Sequence, residues 1–233
     1  MNNPIFTPSQ RALKLISSAG CVLLLVGCST SQFSKIEPTS SRWEAAIQEF
    51  EVTDQATPAP ENGILFIGSS SIRMWKTLDT DFPSLPTINR GFGGSQIVDS
   101  LHYAPRIIFP YNPSKIFLYA GDNDVAKGKS ATVVLRDYKR FVKAVRKTLP
   151  ETEIHFIAIK PSTKRWHLAE EMMEANERIR NYSGRHPKLH YVDIWTPMLN
   201  QAGEPMAHLF LDDGLHMNRS GYEIWIKAVA PFL

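Results

Sequence analysis

The chain has 233 residues, 43% of them apolar and 21% charged, with a formal net charge of +3. That is an ordinary globular composition of one domain, large enough to bury a core without disulfide or metal staples. Lys and Arg are scattered among Asp and Glu, so no concentrated basic stripe points to a nucleic-acid partner.

In chain order, Arg11 and Lys14 precede an apolar run from Leu15 to Val26, broken by Ser17, Ser18, Gly20 and Cys21. A basic start, a short apolar stretch and a small-residue end predict an export signal over 1–27. The run is shorter than the roughly 20 apolar residues of a membrane span. It ends in Leu25-Val26-Gly27-Cys28, which resembles a bacterial lipobox. That resemblance implies cleavage before Cys28, lipidation of its thiol and anchoring of the chain to a membrane of the cell envelope. With Ser29 next, it resembles lipoproteins sent to the outer membrane of Gram-negative cells. The only other cysteine, Cys21, lies in the leader, so no intrachain disulfide is expected after processing. Losing Arg11 and Lys14 leaves a nearly neutral protein, whose attachment would rest on acyl chains. The polar, Ser/Thr-rich residues up to position 41 read as a flexible tether from Cys28, spanning 28–41, and the folded domain as 42–233.

Within the domain, Trp43, Ala46, Ile47 and Phe50 share a helical face, and Thr57-Pro58-Ala59-Pro60 ends that helix. Five strand patterns follow: the apolar run Ile64 to Ile67, ending at Gly68, then Thr87 to Asn89, Lys115 to Ala120, Ile154 to Ile159, and His190 to Ile194. Helical spacing recurs from Val134 to Leu149, from Leu168 to Tyr182, and in a last helix carrying Tyr222, Trp225, Ala228 and Val229, capped by Asn218 or Ser220. Strands alternating with helices predict an α/β fold, with a mainly parallel sheet covered on both faces. In such sheets ligands bind outside the carboxyl ends of the strands.

Four clusters fall at those ends or in the terminal loop. Gly68-Ser69-Ser70-Ser71 leaves the first strand, where a turn into a helix can expose a hydroxyl and free N–H groups; read alone it is also a good helix cap. Asn89 to Ser95 carries Gly91, Gly93 and Gly94, which allow close backbone approach. Gly121-Asp122-Asn123-Asp124 offers a side-chain amide that can face a developing oxyanion, or an Asx turn. Asp213-Gly214-Leu215-His216 spaces a carboxylate and an imidazole so that one loop can present both, with Asp212 as a neighbouring alternative.

In this order the clusters resemble the four blocks of the SGNH (GDSL-like) hydrolase superfamily, from Ile64 to about Asn218. The resemblance implies a flavodoxin-like three-layer α/β/α sandwich with a five-stranded, mainly parallel sheet. It implies Ser70 as nucleophile, Asp213 and His216 as its partners, and an oxyanion hole made by Ser70, Gly94 and Asn123. The usual Gly-Asp-Ser of the first block is Gly-Ser-Ser in this chain, so Ser69 stands where the family has Asp and Ser69 or Ser71 could compete with Ser70. The expected activity is hydrolysis of carboxylic esters, with short acyl groups or acetylated carbohydrate ahead of a lysophospholipase- or thioesterase-type substrate. A non-catalytic flavodoxin-like binding domain at the envelope is the other class. Arg73 and Trp75, just past the nucleophile, are candidates for the pocket rim, and Lys164-Arg165 for its mouth. The seven histidines form no metal-binding spacing, and no dinucleotide fingerprint follows the first strand, so neither a metal nor an organic cofactor is expected.

Overall fold

The computed structural model describes residues 40–233. The leader over 1–27, Cys28 and the tether up to position 39 lie outside the described residues. A 3-10 turn, Ser40–Trp43, leads directly into helix α1 (Glu44–Ala56). Then come β1 (Ile64–Gly68), α2 (Ser70–Arg73), α3 (Leu78–Asp81), β2 (Thr87–Gly91), α4 (Ile97–His102), α5 (Ala104–Ile107) and β3 (Lys115–Tyr119). The chain continues through α6 (Asp122–Ala126), α7 (Ala131–Thr148), β4 (Glu153–Ile157), α8 (Ala169–Ser183), β5 (Leu189–Val192) and α9 (Arg219–Val229). Among the described residues no helix is long and apolar enough to cross a membrane.

The five strands form one sheet in the order β2-β1-β3-β4-β5, and every pairing is parallel. The sheet is thus wholly parallel, as its near-continuous apolar strands require when both faces are buried. Alternate side chains feed two cores. Leu65, Ile67, Ile116, Leu118, Ile154 and Phe156 pack under α1, α4, α5, α7 and α8. Phe66, Phe117, Tyr119, Ile157 and Val192 pack under α2, α3 and α9, with Trp75 and Trp225 fully buried among them. This is the three-layer sandwich expected. The strand order reverses direction at β1, which has β2 on one side and β3 on the other, and such a switch opens a crevice at the carboxyl edge.

The helices obey local rules. In α7 the buried set Val134, Tyr138, Phe141, Val142 and Val145 keeps the spacing read from the sequence, and Arg146 and Lys147 sit in the last turn, where the helix dipole favours cations. Asn218, rather than Ser220, caps α9: its side chain accepts the N–H of Gly221 at 3.3 Å.

At the amino edge of the sheet His155 is buried, stacked 4.4 Å from the Phe117 ring and 4.5 Å from His190. Burial holds its pKa down at about 4. In the unfolded chain an imidazole titrates near about 6.5, so between these values the unfolded state binds more protons. The contribution of His155 is complete above about pH 6.5 and is lost as pH falls toward 4. Urea midpoints should therefore drop across that window, by up to about 3 kcal/mol in stability. His155→Phe should remove most of that slope; an unchanged slope would assign the loss to other groups. Glu153, beside His155 and His190, has its carboxylate 3.6 Å from the Lys115 ammonium.

Candidate active site

Gly68 ends β1 at φ +135°. A Cβ there would come 1.8 Å from the Tyr119 carbonyl oxygen, so only glycine lets β1 close against β3 at this point. The Ser69 N–H donates to that same carbonyl at 2.9 Å. The chain then turns into α2, whose first residue is Ser70. Ser70 lines a cavity of about 530 Å³ at the carboxyl edge of the sheet. Ser69 and Ser71 do not, and both are buried. The structure therefore separates the three adjacent serines.

His216 comes from the loop before α9. Its Nε2 lies 3.1 Å from Ser70 Oγ and its Nδ1 2.6 Å from Asp213 Oδ2. The other carboxylate oxygen, Asp213 Oδ1, accepts the N–H groups of Leu215 at 2.8 Å and His216 at 2.9 Å. Partial burial works against the charge, but the bonds from His216 and Leu215 outweigh it and hold the Asp213 pKa at about 2. Asp213 is thus anionic at neutral pH and fixes which imidazole nitrogen faces the serine. Asp212 is exposed, and it is Asp213 that bonds the ring. The loop after β4 braces this turn: Thr163 Oγ1 and the Lys164 N–H both donate to the Gly214 carbonyl at 3.0 Å.

On the opposite side of Ser70 the β2 exit brings in Gly94 at φ +80°. Trp43 Nε1 donates to the Gly93 carbonyl at 2.9 Å, and the Phe92 N–H to the Gly68 carbonyl at 2.9 Å, fastening this loop to its neighbours. Asn123, from the β3 exit, donates one amide hydrogen to the Ser95 carbonyl at 3.0 Å. Its Oδ1 accepts Arg165 Nη2 at 3.0 Å, which fixes which end of the amide is the NH₂ and leaves that group a second hydrogen; the residue lines the cavity. Among the described residues, the N–H groups of Ser70 and Gly94 donate to no backbone carbonyl. The Ser70 hydroxyl thus stands beside an imidazole, and Gly94 and Asn123 line the same cavity.

What holds this set in place does not show in the sequence pattern. Arg165 reaches Asp122 Oδ2 at 3.0 Å as well as Asn123, and the buried Lys160 ammonium lies 3.4 Å from the same carboxylate oxygen and donates to the Tyr119 hydroxyl at 3.2 Å. Burial lowers the pKa of Lys160. Asp124 is buried and bridges Lys129 at 2.8 Å to the Ile97 N–H at 3.3 Å, tying the β3 exit to the start of α4; burial raises its pKa to about 6 against the pull of Lys129. The signals for these residues are the position of Lys164-Arg165 after a strand and the place of Asp122 and Asp124 beside Asn123. The rim candidates part company. Arg73 lines the cavity, whereas Trp75 is corrected to a core residue: it is 1% exposed, donates Nε1 to Asp81 Oδ2 at 2.7 Å and packs edge-on against Phe66 and Trp225. Trp166 and Trp195 stack on each other at 5.9 Å, outside the cavity lining.

A parallel sheet carrying this constellation at its switch point defines an acylhydrolase of the three-layer α/β type. The chain belongs to the GDSL-like Lipase/Acylhydrolase family, whose model matches residues 69–224; membership implies an ester hydrolase. It is similar to the human platelet-activating factor acetylhydrolase IB subunit alpha1, with 26% identity over 203 residues, 82% of this chain and 83% of that protein. Its fold is similar to that of a GDSL-like lipase from Bacteroides thetaiotaomicron (18% identity, TM-score 0.70, 81% of this chain and 97% of the other). It is also similar to that of a catalytic mutant of an acetylxylan esterase from Geobacillus stearothermophilus (15% identity, TM-score 0.59, 74% of this chain and 94% of the other).

Proposed function

We propose that this protein is a serine esterase that hydrolyses short-acyl carboxylic esters through an acyl-enzyme on Ser70. The observation that carries the reading is the continuous line Asp213–His216–Ser70, with bonds of 2.6 and 3.1 Å. In this mechanism His216 Nε2 takes the Ser70 proton as Oγ attacks the ester carbonyl. Asp213 holds the ring and stabilises the imidazolium. The carbonyl oxygen, now anionic, receives the N–H groups of Ser70 and Gly94 and the free amide hydrogen of Asn123. Collapse of the tetrahedral intermediate breaks the bond to the alcohol oxygen, which His216 protonates. A water molecule, deprotonated by the same imidazole, then attacks the acyl carbon. The acid leaves, and the proton returns to Ser70.

The cavity favours a small acyl group. Among the described residues Leu215 is the one aliphatic side chain in its lining, leaving little apolar surface for a long chain. The two relatives named for acetyl removal agree with that reading. Anchoring at Cys28 in the cell envelope is part of the same proposal, since the lipobox-like tetrapeptide ends the apolar run. Metabolic labelling with a fatty-acid analogue should mark the full chain and fail to mark Cys28→Ala.

Asn123→Ala should lower kcat by about 10² to 10³ with a much smaller change in KM, because its amide is worth most when the oxyanion forms. Steady-state rates on 4-nitrophenyl acetate measure this, and an unchanged kcat would take Asn123 out of the oxyanion hole. The function as a whole is tested by a fluorophosphonate probe with the adduct mapped by mass spectrometry. A Ser70 adduct is expected; a chain that neither reacts nor cleaves any ester would be a binding domain.

A further inference from the structure

The cavity beside Ser70 has a charge that nothing in the reaction above uses. Among the described residues its lining includes Arg42, Arg73, Lys127 and Arg165 and no acidic residue, although the chain as a whole nearly balances 26 Lys and Arg against 23 Asp and Glu. Away from the cavity Arg90 pairs with Asp54, Arg106 with Glu44 and Glu51, and Lys129 with Asp124 and Asp137, whereas Arg42, Arg73 and Lys127 are exposed cations. At the cavity only Arg165 is neutralised, by Asp122. Among the described residues, Arg42, Arg73 and Lys127 have no ion pair.

Two of these three are seated against the oxyanion loop itself. A Cβ on Gly93 would come 2.9 Å from Arg73 Nε, and one on Gly94 would come 3.2 Å from Arg42 Nη2. Both guanidiniums therefore lie directly over the backbone of Gly93 and Gly94. Arg42 also lies over the Trp43 ring at 5.1 Å, the same ring whose Nε1 holds Gly93. That contact reduces the freedom the arginine would lose on binding a ligand. Leaving three like charges unpaired around one concavity raises their mutual repulsion, and an anion bound among them relieves it. Guanidinium forks match the paired oxygens of a carboxylate or phosphate.

We infer that the ester hydrolysed at Ser70 carries an anionic group, a carboxylate or a phosphate, close to its scissile bond, bound by Arg42, Arg73 and Lys127. This rests on the esterase reading of Ser70 and names the substrate class of that site. The cations take no part in the proton transfers; they are specificity residues that lower KM for charged esters.

The test compares three acetyl esters of similar size on the full chain: methyl 4-acetoxybenzoate, which is neutral, 4-acetoxybenzoate and 4-acetoxyphenyl phosphate. Each rate is divided by its uncatalysed rate. The wild type should favour one or both anions in kcat/KM by about tenfold to a hundredfold at low salt, the worth of one or two charge-assisted hydrogen bonds. The ratio between the two anions tells carboxylate from phosphate. The preference should shrink in about 0.5 M NaCl, where screening reaches partly exposed charges. The triple variant R42Q/R73Q/K127Q should lose it, read as the ratio of kcat/KM for the anionic to the neutral ester, and a triple variant that labels at Ser70 and keeps the wild-type ratio overturns the assignment of these cations. If the triple variant fails to fold, Arg73→Gln alone, checked by fluorophosphonate labelling of Ser70, should lose part of the preference. Wild type that cleaves the neutral ester as well as both anions overturns the anionic class and leaves the esterase standing. Wild type that cleaves none of the three and takes no label overturns both.

Discussion

Ser70→Ala is expected to abolish ester cleavage, with a loss in kcat on the order of 10⁵- to 10⁶-fold, the size seen when a triad nucleophile is removed. Three serines stand in a row, so the variant is informative only beside Ser69→Ala and Ser71→Ala. Ser70 alone of the three lines the cavity and lies 3.1 Å from an imidazole nitrogen. The Ser69 and Ser71 side chains are buried outside the cavity lining, and losing one buried hydroxyl costs about 1 kcal/mol of stability rather than the reacting group. Those two variants should keep most of the wild-type rate and still take a fluorophosphonate label. If Ser69→Ala is the dead variant and Ser70→Ala is active, the assignment of the nucleophile fails.

Asp213→Asn should cost up to about 10⁴ in kcat, because an amide in that place no longer selects the imidazole tautomer that accepts the serine proton. The structure adds a reason particular to this loop. Asp213 uses one oxygen for the ring at 2.6 Å and the other for two backbone N–H groups at 2.8 and 2.9 Å. An asparagine that kept its oxygen on the backbone would turn its NH₂ toward Nδ1, forcing the proton onto Nε2, the atom that must be free. The pH dependence carries a second sign. With its pKa held at about 2, Asp213 is ionised throughout the range in which the protein is studied, so its own titration adds no limb to the rate profile above about pH 3. Stability behaves in parallel: the carboxylate's bonds contribute fully above its unfolded pKa, near about 3.9, and are lost as pH falls toward 2. Rates that track a group titrating between about pH 3 and 5, and lose that limb in Asp213→Asn, would contradict a carboxyl group held ionised down to about 2.

How much of this is legible in the sequence depends on where polarity falls. β1 and β3 stand out because each is a continuous apolar run, and both match the sequence pattern within a residue. The pattern ends β2 at Asn89, yet the strand runs to Gly91. Arg90 disguises it: a charge inside a strand looks like a strand end, and only the fold shows it covered by Phe50 and Tyr111, with its Nε on the Tyr111 hydroxyl and its Nη2 on Asp54. β5 stops at Val192 rather than Ile194 because Asp193 Oδ1 accepts the N–H groups of Trp195 and Thr196, bending the chain away. Helices α2 to α6 span four to six residues, too few turns for any periodicity. The chemical residues are visible because each sits in a recognisable cluster at a strand exit. Arg42, Lys127 and the role of Arg165 are not, since nothing in a linear reading tells that positions 42, 73, 127 and 165 meet around one hollow.

The ties between the loops of the site run largely to main-chain oxygens: Trp43 to Gly93, Asn123 to Ser95, and Thr163 and Lys164 to Gly214. A carbonyl oxygen is present whatever residue bears it, so the framework around the reacting atoms is insulated from changes at the outer side chains. Descendants of this scaffold could exchange the residues at 42, 73 and 127 one by one, and so drift toward new esters, without passing through a form in which the hydrolytic chemistry is dismantled.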